Sequence, residues 1–261
     1  MTTPTAVANL AICWDSLDEL LGGLNDEQWA TPSLCPDWTV RDVMIHLAAV
    51  ESMLSGEAPG AFTDSLPFEQ VVGWMNDVAE LDNAGVLDRY RQMIASRRAE
   101  LAAVTEAEME LPSLTPVGPQ TFGRFMAIRV FDFWVHEHDI RTPLGLPGHD
   151  SGSAAEMAID EIYRSLPYIV GKKIGLPDGM TLQIEIHGGV ERTMCVAVDG
   201  RAGLVDSLDS PDVVLRSDST GFAQLACGRI DPQGPIDDGR ISWSGDATWG
   251  EAAARNLAFT M

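Results

Sequence analysis

Basic residues are scarce in this chain. Its 261 residues include 17 Lys and Arg against 39 Asp and Glu, a formal charge of −22. That balance repels nucleic acid and anionic membranes, and no Lys/Arg-rich run offsets it, so neither is expected as a partner. The surplus acid reads as a solvated surface. Long apolar runs are missing too: none approaches the roughly 20 residues that cross a bilayer. Met1-Thr2-Thr3-Pro4-Thr5 lacks the basic start of a secretory leader. The four cysteines, Cys13, Cys35, Cys195 and Cys227, show no C-x-x-C spacing. They read as reduced thiols of a cytoplasmic protein, not as a disulfide frame or zinc ribbon. Gly-x-Gly and Walker-type phosphate loops are absent, as is a Gly-x-Ser-x-Gly nucleophile turn.

What is present is ordinary globular material, 45% hydrophobic and 21% charged. The length suits two modest domains or one large one. The first half reads helical. Val7 to Leu21 carries Leu10, Trp14, Leu17, Leu20 and Leu21 at helical spacing before Gly22-Gly23. Thr39 is placed to cap a helix running to Leu54, with Asp42 completing a capping box and Val43, Leu47, Val50 and Leu54 as its inward stripe. Phe68 to Ala79 and Leu87 to Val104 read as helices, kinked near Asp82-Asn83-Ala84-Gly85. Pro112 to Pro119 reads as a loop, and Thr121 caps a long helix from Phe122 to Arg141, ended by Pro143 and Gly145. Four main helices joined by loops indicate an up-and-down bundle.

Composition shifts after the Pro/Gly-rich Leu144-Gly-Leu-Pro-Gly-His-Asp-Ser-Gly segment. Ser153 to Val170 reads helical. Strands follow at Thr181 to His187, Thr193 to Val198, Asp212 to Arg216 and Arg240 to Ser244, with short helices at Ser219 to Cys227 and Ala247 to Met261. Helices followed by a mixed segment predict two domains, a helical bundle over 1–148 and a smaller α+β domain over 149–261.

The chemistry concentrates in Asp132-Phe-Trp-Val-His136, read together with His46. Residues four apart share one helix face, one turn apart. His46 lies on the inward stripe of its own helix, so His46, Asp132 and His136 can form a two-His, one-carboxylate site with an open coordination position. The bland alternative is a locally paired Asp132 beside a satisfied core His136. His138 lies about 200° around the helix from His136 and cannot readily share its ion. Asp139 or Glu137 can support an imidazole from outside the site, although a solvated face is the plainer reading. His149 and His187 read as structural. Cys35 precedes Pro36 in a turn, reads as exposed, and has no base placed beside it, which speaks against a catalytic thiol.

Pro36-Asp37-Trp38-Thr39-Val40-Arg41-Asp42-Val43 leading to His46-Leu47-Ala48, and Arg129-Val130-Phe131-Asp132-Phe133-Trp134-Val135-His136 followed by Asp139-Ile140, resemble two helices of the mycothiol-dependent maleylpyruvate isomerase family of actinobacteria. Ser219 to Arg229, with Gly239-Arg240-Ile241-Ser242-Trp243-Ser244-Gly245-Asp246, is similar to that family's C-terminal domain. The resemblance spans nearly the whole chain. It implies a DinB-like metal-binding four-helix bundle followed by a sterol-carrier-like α+β domain. It also implies His46 and His136 as zinc ligands, and Asp132 at the family's glutamate position, one methylene shorter. Arg229 matches a family arginine that reaches toward the active site, where a guanidinium clamps a carboxylate in bidentate fashion.

The implied cofactors are a divalent metal, zinc, and mycothiol. A cation stabilises thiolate over thiol, and the implied reaction adds that thiolate to a small electrophilic substrate. Release after rotation about a double bond is isomerisation; release of the adduct is S-transfer or detoxification. Two other readings stand beside these. One is a non-haem iron enzyme, whose triad usually sits on a β-barrel; the other is a non-catalytic protein that binds metal and an apolar ligand. A monomer or homodimer is expected.

Overall fold

Leu10, Trp14, Leu17 and Leu21 recur at helical spacing and are all buried, so α1 (Thr5–Gly22) forms with one face against the core. The computed structural model describes residues 3–260. The leader reading at Met1 and Thr2, and the last residue of the expected C-terminal helix, Met261, lie outside them. The chain divides into two units, Met1–Gly148 and His149–Met261.

In the first unit a single turn, α2 (Asp26–Trp29), leads to α3 (Val40–Leu54), α4 (Phe68–Val78), α5 (Asn83–Leu101) and the short α6 (Glu106–Met109). A hairpin of β1 (Pro112–Thr115) and β2 (Gly118–Thr121) then feeds α7 (Phe122–Leu144). Four of these helices make the bundle. Both α1 and α3 pack against α5 and α7, so the order around the bundle is α1, α5, α3, α7 and not the chain order of a simple meander. The two helices that carry the candidate ligands, α3 and α7, are therefore neighbours.

Several local expectations needed correction. Pro112 to Pro119 is not a loop: Ser113 pairs with Gln120 and Leu114 with Pro119 around a tight turn. No kink joins α4 to α5; the chain breaks after Val78 and restarts at Asn83, because the Asp82 side chain accepts the Gly85 N–H at 2.8 Å and caps a new helix. Pro143 does not stop α7. It sits in the last turn, and the helix ends when Gly145 takes φ 64°, a left-handed conformation that suits glycine.

The second unit opens with α8 (Ser153–Tyr168), whose last turns loosen into a π-helical segment at Ile169–Ile174. Its sheet has the order β5-β4-β3-β6-β7, from β3 (Thr181–His187), β4 (Arg192–Asp199), β5 (Arg201–Val205), β6 (Val213–Asp218) and β7 (Ile241–Gly245). β3 and β6 run parallel in the middle, and the remaining neighbours are antiparallel. Leu182, Ile184 and Ile186 alternate toward the buried face. The short helices are α9 (Ser219–Ala226), α10 (Gln233–Asp237) and α11 (Ala247–Arg255). α11 stops at Arg255, short of the expected span. The sequence reading missed β5, which folds back from β4 at Gly200, a residue at φ 65°. The unit is α+β, as expected.

Candidate metal centre

Two capped helices present the three candidate ligands. Thr39 opens α3 with a full capping box: its side chain accepts the Asp42 N–H at 3.3 Å, and Asp42 Oδ2 accepts the Thr39 N–H at 2.8 Å. Of the expected stripe, Val43, Leu47 and Leu54 are buried and Val50 is half-buried, and His46 stands at its edge. Thr121 caps α7 through the Arg124 N–H at 3.1 Å. From Phe133 to Ile140 every residue of α7 is buried.

His46, Asp132 and His136 converge. The Asp132 carboxylate lies between the imidazoles, with Oδ1 3.4 Å from His136 Nε2 and Oδ2 3.9 Å from His46 Nε2. Their candidate ligand atoms all fall within 4.8 Å of one another. Donors around a tetrahedral cation with bonds of 2.0–2.1 Å stand about 3.3 Å apart, so the three are spaced on the scale of one divalent ion's ligands. The exposures of 31% for His46 and 25% for Asp132, against 9% for His136, put the open side toward the first two. Trp38 walls the site, its ring centroid 5.1 Å from that of His46 and 6.2 Å from that of His136, stacked on the latter.

Behind Asp132 runs a row of buried charges that the sequence reading did not find. Arg129 pairs with Asp132 Oδ2 and donates through Nε to Glu51 Oε1 at 2.8 Å. Glu51 Oε2 in turn accepts from Arg97 Nε at 3.0 Å. Glu51, Arg97 and Arg129 are buried almost completely. Burial alone raises a carboxyl's pKa, but the Arg129 charge and the hydrogen bonds with His136 and His46 hold Asp132 well below the usual carboxylate range. The available signal was Glu51 itself, an acid one turn beyond Leu47 on the inward stripe of α3.

On the far side of His136 the structure overturns two expectations. Asp139 and Glu137 do not form a solvated face. Asp139 is 1% exposed, and its Oδ2 lies 2.9 Å from His136 Nδ1; Glu137 accepts from Ser16 Oγ and Arg141 Nε, both at 2.6 Å. Cys35 is not exposed and does have an acceptor beside it. It is buried, with Sγ 3.1 Å from Asp139 Oδ2 and 3.5 Å from His136 Nδ1. Burial works against a charged His136, yet hydrogen bonds with Asp132, Asp139 and Cys35 raise its pKa well above the usual value. His138 packs edge-on against Trp134 at 4.4 Å between centroids. Cys13 lies deep in the bundle, where burial and the charge of Glu137 push its thiol far up and leave it inert.

Arg229 belongs to the second unit, half-buried just after α9. Its Nη1 donates to the Cys227 carbonyl at 3.0 Å, and its amide to the Gln224 carbonyl at 2.8 Å.

Comparison with known proteins gives this geometry a family. A crystal structure of a mutant of the mycothiol-dependent maleylpyruvate isomerase superposes with a TM-score of 0.59, covering 95% of this chain and 98% of that one at 16% identity. A second crystal structure of the mycothiol-dependent maleylpyruvate isomerase gives 0.54, covering 88% and 93%, also at 16% identity. At that identity the likeness establishes a shared fold. The uncharacterized proteins MT0041 and Rv0036c, from two strains of Mycobacterium tuberculosis, are each 28% identical over 153 residues. The match covers 54% of this chain and 56% of theirs, so it spans about half the length of these curated relatives. The family model described as the mycothiol maleylpyruvate isomerase N-terminal domain matches residues 10–141, just over half of the chain, and contains all three candidate ligands. The chain belongs to the mycothiol maleylpyruvate isomerase N-terminal domain family.

Proposed function

We propose that this protein is a metal-dependent enzyme that uses mycothiol to attack a small electrophilic substrate, in the manner of a maleylpyruvate isomerase. The carrying observation is the convergence of His46, Asp132 and His136 from α3 and α7, within a chain of this family. These three residues would hold one divalent ion, with zinc the assigned metal on its match to two imidazoles and a carboxylate. When bound, such a cation favours the thiolate form of a thiol that reaches it, and so supplies a nucleophile at neutral pH.

The chain's own residues set the conditions for that chemistry. Arg129 holds Asp132 within reach of both imidazoles, and Glu51 holds Arg129. Trp38 covers the imidazole faces and keeps water from that side. Arg229 is assigned to a substrate carboxylate, which its planar fork fits better than an ammonium would. Isomerisation and S-transfer share the addition step and differ only in whether the sulfur leaves again.

Calorimetry on metal-loaded protein tests this reading. Mycothiol should bind and release a proton, because the thiol ionises on binding. No heat of mycothiol binding, with metal content verified, would leave simple metal binding as the better account. Arg229→Lys should weaken substrate affinity while mycothiol binding stays as in wild type; unchanged affinity would remove Arg229 from the site.

A further inference from the structure

Two donors meet on one buried oxygen beside His136. Asp139 Oδ2 lies 2.9 Å from His136 Nδ1 and 3.1 Å from Cys35 Sγ. A carboxylate can only accept, so the proton of this contact sits on Nδ1, and once the ring gives up its second proton, as it must to ligate a cation, the lone pair is left on Nε2. Nε2 is also the nitrogen that faces Asp132, at 3.4 Å. The thiol is held in place by its own turn. Cys35-Pro36-Asp37-Trp38 closes with the Trp38 N–H on the Cys35 carbonyl at 3.2 Å, Pro36 at the second position and Asp37 at φ 64°. That is the pattern of a type II turn, in which the third position favours glycine and an aspartate is strained. The Leu34 N–H reaches the Asp139 main-chain carbonyl at 3.1 Å, so the loop grips both the backbone and the side chain of that residue.

We propose that Asp139 and Cys35 are a positioning pair for His136: Asp139 selects the Nδ1–H tautomer, and the Cys35 thiol fixes the carboxylate that does so. The same turn ends in Trp38, which stacks on the other side of the His136 ring. The α2–α3 loop thereby sets the imidazole both in its plane and across its face. The inference rests on the metal-site reading for its consequence, tighter cation binding, but the tautomer is a property of the metal-free chain.

The test has two arms on the full-length protein. In the metal-free protein, taken to a pH at which 15N NMR shows the His136 ring neutral, the spectrum should report the Nδ1–H form in wild type and a mixture of tautomers in Asp139→Asn. In the second arm, zinc affinity is measured by chelator competition. Asp139→Asn should bind zinc roughly 10- to 100-fold more weakly, the usual effect of losing an outer partner. Cys35→Ala should lose about tenfold, and Cys35→Ser, which keeps a donor, should restore most of it. The Cys35 variants change no more than one sulfur, so they decide the matter even if Asp139→Asn fails to fold. Wild-type zinc affinity in Cys35→Ala would overturn the thiol's part, as would a Cys35→Ser variant as weak as Cys35→Ala. An unchanged tautomer and affinity in Asp139→Asn would overturn the pair. Should wild type bind no zinc at all, the metal reading fails, and the NMR arm alone judges the positioning.

Discussion

Glu51 is the residue on which the site's scaffolding turns. It is fully buried between Arg97 and Arg129, and Arg129 is what fixes Asp132. A buried ion pair adds little net stability, but removing one partner strands the others in a low-dielectric interior. Glu51→Gln should therefore destabilise the first unit by about 3–5 kcal/mol, read as a lowered midpoint in urea unfolding. A change below about 0.5 kcal/mol, the scale of an ordinary surface substitution, would show that the network carries no such strain. At this scale the sequence was legible for His46, Asp132 and His136, because helical spacing alone puts them on inward faces. It was not legible for Cys35 and Asp139. Periodicity assigns one inner and one outer face to a helix, whereas this stretch of α7 is covered by α1, α3 and the α2–α3 loop, through Ser16, His46 and Cys35. A helix enclosed on so many sides has no solvated face over Phe133 to Ile140 to give its polar residues.

The elements are held by side chains that satisfy helix ends. Thr39 and Asp42 close the N-terminus of α3, and this cap was readable because the capping box is a fixed sequence pattern. Thr39→Ala should cost about 1 kcal/mol and loosen the first turns of the helix that carries His46, which thermal unfolding would register. Its C-terminal end is held from another helix, where Arg97 on α5 donates through Nη1 to the Leu54 carbonyl at 3.1 Å. Glu100 on α5 accepts the Gly56 N–H at 2.9 Å and Ser55 Oγ at 3.1 Å, and pairs with Arg97. Such a tertiary cap has no local signature.

Burial opposes the charge on Glu100, but these hydrogen bonds and the Arg97 charge outweigh it and lower the pKa. A carboxyl with a depressed folded value stabilises the protein above its unfolded pKa of about 4.3, and the contribution is lost as pH falls through the folded value. Glu100→Gln should thus cost about 1–2 kcal/mol at pH 7, and the gap to wild type should close as the pH drops below about 4. A gap that persists in acid would assign the effect to packing. The β1–β2 hairpin and β5 escaped the sequence reading for the opposite reason. Pro112, Gly118 and Pro119 give the hairpin the composition of a loop, and Gly203 interrupts β5, so none of the three shows an alternating apolar pattern. Asp199-Gly200 at the β4–β5 turn was the one available hint.

The whole molecule joins a helical unit to an α+β unit, and no helix among the described residues is long and apolar enough to cross a membrane. All three candidate ligands, their charged backing and their outer partners lie in the first unit, inside the span that defines the family. The bundle order explains why the three candidate ligands meet. Because α3 and α7 are neighbours although far apart in the chain, the rings of His46 and His136 come into contact, 5.0 Å between centroids. Family membership was legible in the sequence through the segments around His46 and His136; the order of helices around the core was not, since loops of this length allow several.

His46, Asp132 and His136 are proposed to bind one divalent ion. Anomalous diffraction at the zinc edge, from crystals of wild type and of His136→Ala grown with zinc, tests it most directly. A single strong peak is predicted in wild type, about 2.0–2.2 Å from His46 Nε2, His136 Nε2 and an Asp132 oxygen, and no peak there in the variant. A peak that survives in His136→Ala at full height, or a wild-type map with no peak between α3 and α7, would contradict the account.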